Sequence, residues 1–233
     1  MRIDVWSDVV CPWCYIGKRH LEEALERFEH SDDVEIVYHS FELDPSAPQV
    51  PVETTVEALA KKFGASVDQA RELMKQANVP AAAAGLEFRH EDTPHARTID
   101  AHRLLHLAKA EGKQAVLKEE LLAAYFTRGE SMGDHAVLKQ AAVNVGLDAG
   151  RVDEVLASDE FAGDVQADID QARAYGATGV PFYVVEGKYG VSGAQPADLF
   201  SQLLEKVHAE TKPALTLLGD GNGDACGPDG CAI

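Results

Sequence analysis

Hydrophobic and polar residues alternate at the very start of the chain and then change to a helical period. Ile3 and Val5 are apolar positions of a short predicted strand. Residues 12–28 follow with helical spacing, and residues 34–41 alternate again. The apolar face of this first helix consists of Leu21, Ala24, Leu25 and Phe28. The pattern therefore predicts a β-α-β unit at the N-terminus.

The middle of the chain has an almost wholly helical pattern. Three prolines in residues 44–51 mark a boundary, and the helical period continues to about residue 175. Ser66 and Gln69 form a capping-box pattern, and Asp134 is a candidate N-cap. A predicted helix at 113–126 has the apolar positions Val116, Leu122, Ala123 and Phe126. Other helices are predicted at 97–111, 152–156 and 160–175.

Strand signals return near residue 182. Residues 182–185 and 189–191 read as two strands joined by the turn at 186–188. Pro196 opens a last helix, whose predicted apolar face consists of Leu199, Leu203, Leu204 and Val207. The remaining residues, 211–233, are rich in Gly and Asp and are predicted to form a flexible tail.

This order predicts an α/β fold interrupted by helices. Residues 1–45 and 176–210 are expected to form one discontinuous domain, a small sheet with flanking helices. Residues 46–175 are expected to form an all-α insertion domain.

Composition and charge narrow the function classes. The 233 residues carry a formal net charge of −18, which argues against binding to nucleic acid, because that affinity rests largely on Lys and Arg. No stretch is long and apolar enough to predict a membrane span. The N-terminus lacks a secretory pattern, so a cytoplasmic location is expected.

Four cysteines fall into two close pairs, Cys11 with Cys14 and Cys226 with Cys231. The first pair stands at the predicted start of a helix, where free N–H groups and the helix dipole favour a thiolate. Cys11 is then placed to attack a disulfide, and Cys14 to resolve the mixed disulfide one helical turn later. These residues are the predicted catalytic pair.

Metal binding and a structural disulfide are the other interpretations of this pair. A single CxxC supplies two of the four ligands of a structural zinc site, and a structural disulfide is uncommon in the cytoplasm. His102 and His106 stand four residues apart on a predicted helix but lack the HExxH pattern. We therefore predict no metal site, and expect these two histidines to serve packing or to line a groove.

A second informative segment, TGVPFY, stands at the entrance of a predicted strand. Proline there is compatible with an ordinary strand edge or with a cis Val180–Pro181 bond. A loop of this kind opposite the CxxC helix would present backbone groups to an extended peptide beside Cys11. We therefore take Val180 and Pro181 as candidate site residues.

The segments DVVCPWCYIGKRHLE, TIDAHRLLHLA and GATGVPFYVVEGKYGVSGAQPADLF together resemble the DsbA-type branch of the thioredoxin superfamily, and within it the FrnE-like proteins. The resemblance extends to about residue 207. It implies a thioredoxin-like fold with a large helical insertion, thiol–disulfide oxidoreduction of protein or peptide substrates, and a cis-proline at Pro181. It implies no bound cofactor, with glutathione or a thioredoxin system as candidate reductants. Pro12, Trp13 and Val180 are the candidate substrate contacts.

Trp13 stands where periplasmic DsbA enzymes usually have a histidine. Tryptophan cannot stabilise a thiolate by charge, so we expect a less oxidising pair that acts as a reductase or isomerase.

Two other function classes remain open from the sequence. Kappa-class glutathione transferases and 2-hydroxychromene-2-carboxylate isomerases share the architecture, but they typically have Ser in place of Cys11. A non-catalytic peptide-binding or holdase module would use the groove without the thiol chemistry.

The tail pair is separated by the turn sequence GPDG. A tight turn would bring Cys226 and Cys231 within disulfide reach. We expect either an auxiliary redox pair that exchanges electrons with Cys11 and Cys14, or two incidental thiols on a loose terminus.

Overall fold

The computed structural model describes residues 1–211. The tail pair, Cys226 and Cys231, lies outside the described residues, so its predicted role stays a prediction.

A mixed sheet forms the centre of the domain that carries the CxxC motif. In residues 1–211 its strands are β1 (Arg2–Ser7), β2 (Glu35–Ser40), β3 (Phe182–Val185) and β4 (Tyr189–Ser192). Their order is β2-β1-β3-β4. β1 is parallel to β2 and antiparallel to β3, and β4 is antiparallel to β3. The central strand β1 leads directly into the CxxC segment, so the sheet fixes the position of the motif.

Of the α-helices in residues 1–211, two flank one face of this sheet and the others lie between β2 and β3 in the chain. The flanking helices are α1 (Pro12–Glu26) and α10 (Ala197–Thr211). The intervening helices are α2 (Thr55–Phe63), α3 (Val67–Lys75), α4 (Asn78–Ala83), α5 (Ile99–Ala110), α6 (Gln114–Phe126), α7 (His135–Asn144), α8 (Ala149–Leu156) and α9 (Ala162–Ala174). The fold is therefore the predicted α/β type with a helical insertion.

Helix α1 contributes to two hydrophobic cores. Its first residues, including Tyr15 and Ile16, belong to the core of the inserted helices. Leu21 and Ala24, further along, pack with β1, β3 and α10. Because burial of apolar surface is the main favourable term in folding, this division holds the start of α1 between the two parts of the molecule.

Local sequence signals placed several helix boundaries correctly. Ser66 and Gln69 form the predicted capping box at the start of α3, and the Asp134 carboxylate accepts a hydrogen bond from the Ala136 N–H at the start of α7. These side chains satisfy backbone donors that the helix itself leaves free.

The predicted faces of α6 and α10 are partly wrong. Val116 is 54% exposed, whereas Leu117 and Leu121 are fully buried. In α10, Leu199 is exposed and Phe200 is buried. The predicted face of α6 fails because this helix packs against α5, α7 and β2. More than one face is covered, so a single apolar stripe does not describe it.

A polar cluster ties the other face of the sheet to the inserted helices. The His39 ring lies between the carboxylates of Asp4 and Asp168, 2.7 Å from each. His106 Nε2 contacts an Asp168 oxygen at 3.1 Å and the Ser40 hydroxyl at 3.1 Å. His106 therefore joins α5 to the end of β2 and to α9, which agrees with the packing role among the two that the sequence suggested.

Gly17 lies where α1 passes closest to β3 and the loop after β4. A Cβ at this position would be 2.4 Å from Tyr183 Oη, 3.2 Å from Pro181 Cγ and 3.3 Å from Ala194 Cα. Tyr183 is fully buried and its ring packs edge-on against Phe200, so the hydroxyl cannot move away easily. Glycine permits this close approach of helix and sheet.

We expect Gly17→Ala to lower the free energy of unfolding by about 1–3 kcal/mol, because overpacking a filled interior forces neighbours to shift. Gly163→Ala is the matched control, since Gly163 lies in α9 with no heavy atom within 4 Å of its Cβ position. There alanine should be neutral or stabilise by up to about 1 kcal/mol. Urea denaturation measures both, and equal effects of the two substitutions would contradict the steric argument.

No helix within residues 1–211 has the length and apolar character needed to cross a membrane.

Candidate active site

Cys11 occupies the N-cap of α1, immediately before Pro12. Its backbone is extended and its carbonyl accepts hydrogen bonds from the N–H groups of Cys14 and Tyr15. The first turn of α1 contains no acidic residue, so the positive end of the helix dipole acts on the Cys11 sulfur without opposition from α1 itself. This position matches the sequence prediction for a nucleophilic thiol.

Trp13 and Cys14 point in different directions from the first turn of α1. The Trp13 side chain is 45% exposed, as predicted, whereas Cys14 is buried. Burial and a hydrogen bond with Cys11 raise the pKa of the Cys14 thiol well above its ordinary value. Both cysteines are free thiols, and Cys14 is therefore held as a protonated thiol behind Cys11.

The Val180–Pro181 loop meets Cys11 from the opposite side. The peptide bond between these residues is cis, which confirms the prediction. The Cys11 thiol donates a hydrogen bond to the Val180 carbonyl, with a sulfur–oxygen distance of 3.5 Å. Pro181 is buried while Val180 is partly accessible. The structure therefore brings Cys11, Pro12, Trp13, Cys14, Val180 and Pro181 together at the N-terminus of α1.

A cavity of about 470 Å³ opens beside Cys11, between the CxxC loop and the inserted helices. Cys11, Pro12, Trp13 and Val180 line it, and Cys14 does not. The rest of its wall is mainly apolar and includes Val10, Leu59, Phe63, Leu73, Met74 and Ala77. Sites of this shape typically bind apolar groups and fix them with a few polar contacts.

His90 is a polar group in this apolar wall that the sequence did not single out. The side chain is buried, and its Nδ1 has no hydrogen-bond partner. Burial lowers the pKa of His90 to about 4, so the ring is neutral near neutral pH. No motif surrounds His90 in the sequence, and only the folded arrangement places it at the cavity.

Asp8 lies fully buried just before the CxxC motif. Its carboxylate accepts hydrogen bonds from the N–H groups of Val9 and Leu43, each at 2.8 Å, and contacts His102 Nε2 at 3.2 Å. Burial alone would raise the pKa of Asp8, but the His102 and Leu43 contacts and the charge of Lys118 hold it below the usual value. Asp8 is thus a buried anion that fastens the CxxC loop, and His102 is its partner in α5.

Lys118, in α6, is another buried ionisable residue near the CxxC motif, besides Asp8. The side chain is 1% exposed, and its hydrogen bond to the Ser7 carbonyl is long, at 3.4 Å. Burial lowers the pKa of Lys118 to about 8, although Cys14, Asp8 and Cys11 oppose this shift. The sequence analysis missed this residue, because lysines in helices are usually solvent-exposed.

No cluster of three or more His, Cys, Asp or Glu side chains with metal-binding geometry occurs in residues 1–211.

Sequence comparison connects this geometry to a protein family. The family model of the DsbA-like thioredoxin domain matches residues 2–205. The chain belongs to the DsbA-like thioredoxin family. Members of this family are thiol–disulfide oxidoreductases, and both cysteines of the DsbA-type motif are present here at the N-terminus of α1.

Three individual proteins are similar to this chain. The crystal structure of the probable DsbA oxidoreductase SCO1869 from Streptomyces coelicolor is 44% identical, with a TM-score of 0.86 over 100% of this chain and 99% of that one. The uncharacterized protein YwbO from Bacillus subtilis (strain 168) is 29% identical over 88% of this chain and 96% of its own length. The cytosolic disulfide reductase DsbM from Pseudomonas aeruginosa shares the fold at 16% identity, with a TM-score of 0.64 over 90% of this chain and 100% of that one.

Proposed function

We propose that this protein reduces or isomerises disulfide bonds in protein or peptide substrates through its CPWC dithiol. The observation that carries the proposal is the unequal setting of the two cysteines. Both thiols are buried, but Cys11 lines the cavity and Cys14 does not, and burial with a hydrogen bond to Cys11 raises the pKa of Cys14. Stepwise disulfide exchange requires an attacking thiol at the cavity wall and a second thiol held back from the cavity to resolve the mixed disulfide.

In the first step the Cys11 thiolate attacks one sulfur of a substrate disulfide. A bond forms between Cys11 Sγ and that sulfur, the substrate S–S bond breaks, and the second substrate sulfur leaves as a thiolate that takes a proton. In the second step Cys14 attacks Cys11 Sγ. The mixed disulfide breaks, the substrate leaves fully reduced, and the enzyme holds a Cys11–Cys14 disulfide.

The substrate is proposed to be an apolar, extended polypeptide segment. Trp13, Leu43 and Phe63 are exposed apolar side chains at the cavity, and exposed apolar patches commonly bind partners. The Val180 carbonyl, which here accepts a hydrogen bond from the Cys11 thiol, is a hydrogen-bond acceptor beside the reacting sulfur. Pro12 and Pro181 restrict the backbone on the two sides of the Cys11 sulfur.

Reduction rather than oxidation is proposed because Trp13 supplies no charge to stabilise the Cys11 thiolate. A reductant must then regenerate the dithiol, and glutathione or a thioredoxin system is proposed for this step. DsbM, which shares the fold, is a cytosolic disulfide reductase with a structure containing GSH, and this supports the proposed cytoplasmic reducing role. The FrnE-like assignment within the family remains part of the proposal.

Cys14→Ser is the substitution that tests this function. The variant should accumulate a mixed disulfide between Cys11 and a peptide disulfide substrate, because the resolving thiol is gone. Non-reducing electrophoresis and mass spectrometry measure the adduct. The tail cysteines are replaced by serine in every protein compared, so that only the cysteines of the CxxC pair can form an adduct.

The wild-type CxxC pair is the control and should show only a transient adduct. If the Cys14→Ser variant forms no adduct but binds glutathione non-covalently and turns over an electrophile, the glutathione-dependent transferase class is favoured instead. If binding of an unfolded polypeptide is unchanged by Cys11→Ser and no thiol exchange occurs, the holdase class is favoured.

A further inference from the structure

The His90 ring lies in the cavity wall and is held there by the core of the inserted helices. His90 belongs to the segment between α4 and α5, lines the cavity and is 4% exposed. The ring centroids of Phe126 and Phe88 lie 4.8 Å and 5.4 Å from that of His90. Neither phenylalanine lines the cavity, and both pack in the hydrophobic core of the inserted helices. The imidazole is therefore fixed between this core and the cavity.

Two buried polar atoms in this part of the chain have no partner. Within residues 1–211, neither His90 Nδ1 nor Thr93 Oγ1 makes a hydrogen bond. The Thr93 N–H donates to the His90 carbonyl at 3.2 Å, which places the two residues in one turn. Buried polar side chains in folded proteins are nearly always hydrogen-bonded, and leaving one unsatisfied costs free energy. A ligand that brings a hydrogen-bonding group to His90 recovers this cost on binding.

The hydroxyl groups next to His90 are already engaged. Thr55 and Tyr125 line the cavity, and the Tyr125 ring centroid is 5.9 Å from that of His90. The Thr55 hydroxyl donates to the Thr93 carbonyl at 3.0 Å and contacts the Tyr125 hydroxyl at 2.8 Å. These two side chains satisfy each other, so His90 gains more than they do from a bound polar group.

A charged substrate group does not suit this wall. Asp8 and Asp44 line the cavity and repel a carboxylate, whereas Lys62 is solvent-exposed and can meet an anion only at the rim. Asp44 is already paired with His95 at 3.2 Å, and Asp8 accepts the three contacts described above. A basic side chain would therefore lose its water without gaining a free carboxylate. The group that binds beside His90 should be neutral.

The size and lining of the cavity fit one aromatic side chain. Its volume of about 470 Å³ lies in the range of sites that enclose small ligands. Leu59, Phe63, Leu73 and Met74 supply apolar surface, and a methionine sulfur makes favourable contacts with aromatic rings. An aromatic ring with a neutral polar tip therefore matches both the apolar wall and His90.

We propose that the cavity is a subsite for a tyrosine side chain of the substrate, whose hydroxyl forms a hydrogen bond with His90. The inference rests on the proposed function and names the side chain that is recognised beside the substrate disulfide. A phenol hydroxyl both donates and accepts, so it pairs with either tautomer of a neutral imidazole. Phenylalanine fills the same apolar space but leaves His90 without a partner. His90 is thus a specificity-determining residue.

Binding of side-chain analogues tests the subsite without any thiol chemistry. The probes are p-cresol for tyrosine and toluene for phenylalanine, and NMR titration gives their dissociation constants. The proteins are full-length chains with Cys226 and Cys231 replaced by serine. The variants are His90→Leu, which removes both ring nitrogens, and His90→Asn, which keeps a hydrogen-bonding group.

His135→Leu is the matched control, since His135 begins α7, is solvent-exposed and does not line the cavity. The wild type should bind p-cresol about threefold to tenfold more tightly than toluene, as one neutral hydrogen bond predicts. His90→Leu should reverse this order, because the phenol hydroxyl then loses water without gaining a partner. His90→Asn should keep part of the preference, and His135→Leu all of it. Circular dichroism verifies the fold of each variant.

Turnover of peptide disulfides tests the same subsite in the proposed reaction. Peptides with tyrosine or phenylalanine are compared at each of several positions on both sides of the cysteine. At the position that reaches the cavity, tyrosine should lower KM by about threefold to tenfold and leave kcat unchanged, because the hydrogen bond is the same in the bound substrate and in the transition state. His90→Leu should abolish the KM difference while its kcat for the phenylalanine peptide stays at the wild-type value.

Equal dissociation constants of p-cresol and toluene in the wild type, or an unchanged ratio in His90→Leu, would overturn the tyrosine subsite and leave the dithiol function standing. A preference for p-cresol in a protein that reduces no peptide disulfide would instead contradict the dithiol function. If neither variant folds, the wild-type protein decides. There p-cresol must bind more tightly than toluene and shift the ¹⁵N resonances of the His90 ring, and failure of either result overturns the proposal.

Discussion

Cys11→Ser should reduce the rate of disulfide reduction to the uncatalysed level. The wild type is expected to reduce a peptide disulfide with glutathione as reductant over many turnovers, whereas a serine hydroxyl at neutral pH is too weakly acidic to attack sulfur. Because each exchange begins with the Cys11 thiolate, no later residue can replace it. The measurement is the initial rate of peptide dithiol formation, followed by chromatography.

The side chain of Cys11 is small and 3% exposed, so serine should fit without a large change in stability. Equal thermal unfolding midpoints for wild type and Cys11→Ser would show that loss of activity has a chemical cause. Cys226→Ser with Cys231→Ser is the matched control, because it removes two thiols and leaves Cys11 in place. Residual turnover by Cys11→Ser above background would mean that another thiol starts the reaction.

The local part of the site could be predicted from the sequence. Cys11 and Cys14 are three residues apart after a strand pattern, and Val180–Pro181 directly precedes another strand. In each case a strand or helix signal next to the residue fixes its place at the end of an element. The alternation at Ile3 and Val5 likewise placed the central strand.

The charged layer beneath the site could not be predicted in the same way. Asp8 and His102 are separated by 94 residues, and Lys118 contacts Ser7 across 111 residues. No local period relates such positions, and residue type alone assigns a lysine to solvent. The single-stripe interpretation of α6 chose Val116, which is exposed, because this helix is covered on several sides.

The inserted helices therefore do more than cover the groove. They supply His90 to the cavity wall, His102 to the Asp8 carboxylate, and Lys118 to the Ser7 carbonyl at the end of β1. A sheet domain of this kind without the insertion would keep the two cysteines but lose these neighbours. The reactivity of the CxxC pair is in this sense a property of both parts of the fold.

Asp8→Ala should lower the free energy of unfolding by about 3–5 kcal/mol, because it removes a buried carboxylate and leaves the buried groups that it contacts unsatisfied. The N–H groups of Val9 and Leu43 and the Nε2 atom of His102 would all lose their acceptor. Urea denaturation measures the change. Asp170→Ala is the matched control, since this exposed aspartate of α9 pairs only at the surface and should change stability by less than about 0.5 kcal/mol.

Asp8→Asn separates the structural role of this residue from its charge. The amide keeps one carbonyl acceptor, so Asn should retain more stability than Ala. Removal of the negative charge, however, takes away one of the groups that favour the Lys118 ammonium, so the amine should become neutral at lower pH. The pKa of the Lys118 amine should therefore fall in Asp8→Asn, which NMR titration of the lysine measures. If Asn and Ala were equally destabilised and the pKa of Lys118 did not change, Asp8 would be only a structural acceptor with no influence on Lys118.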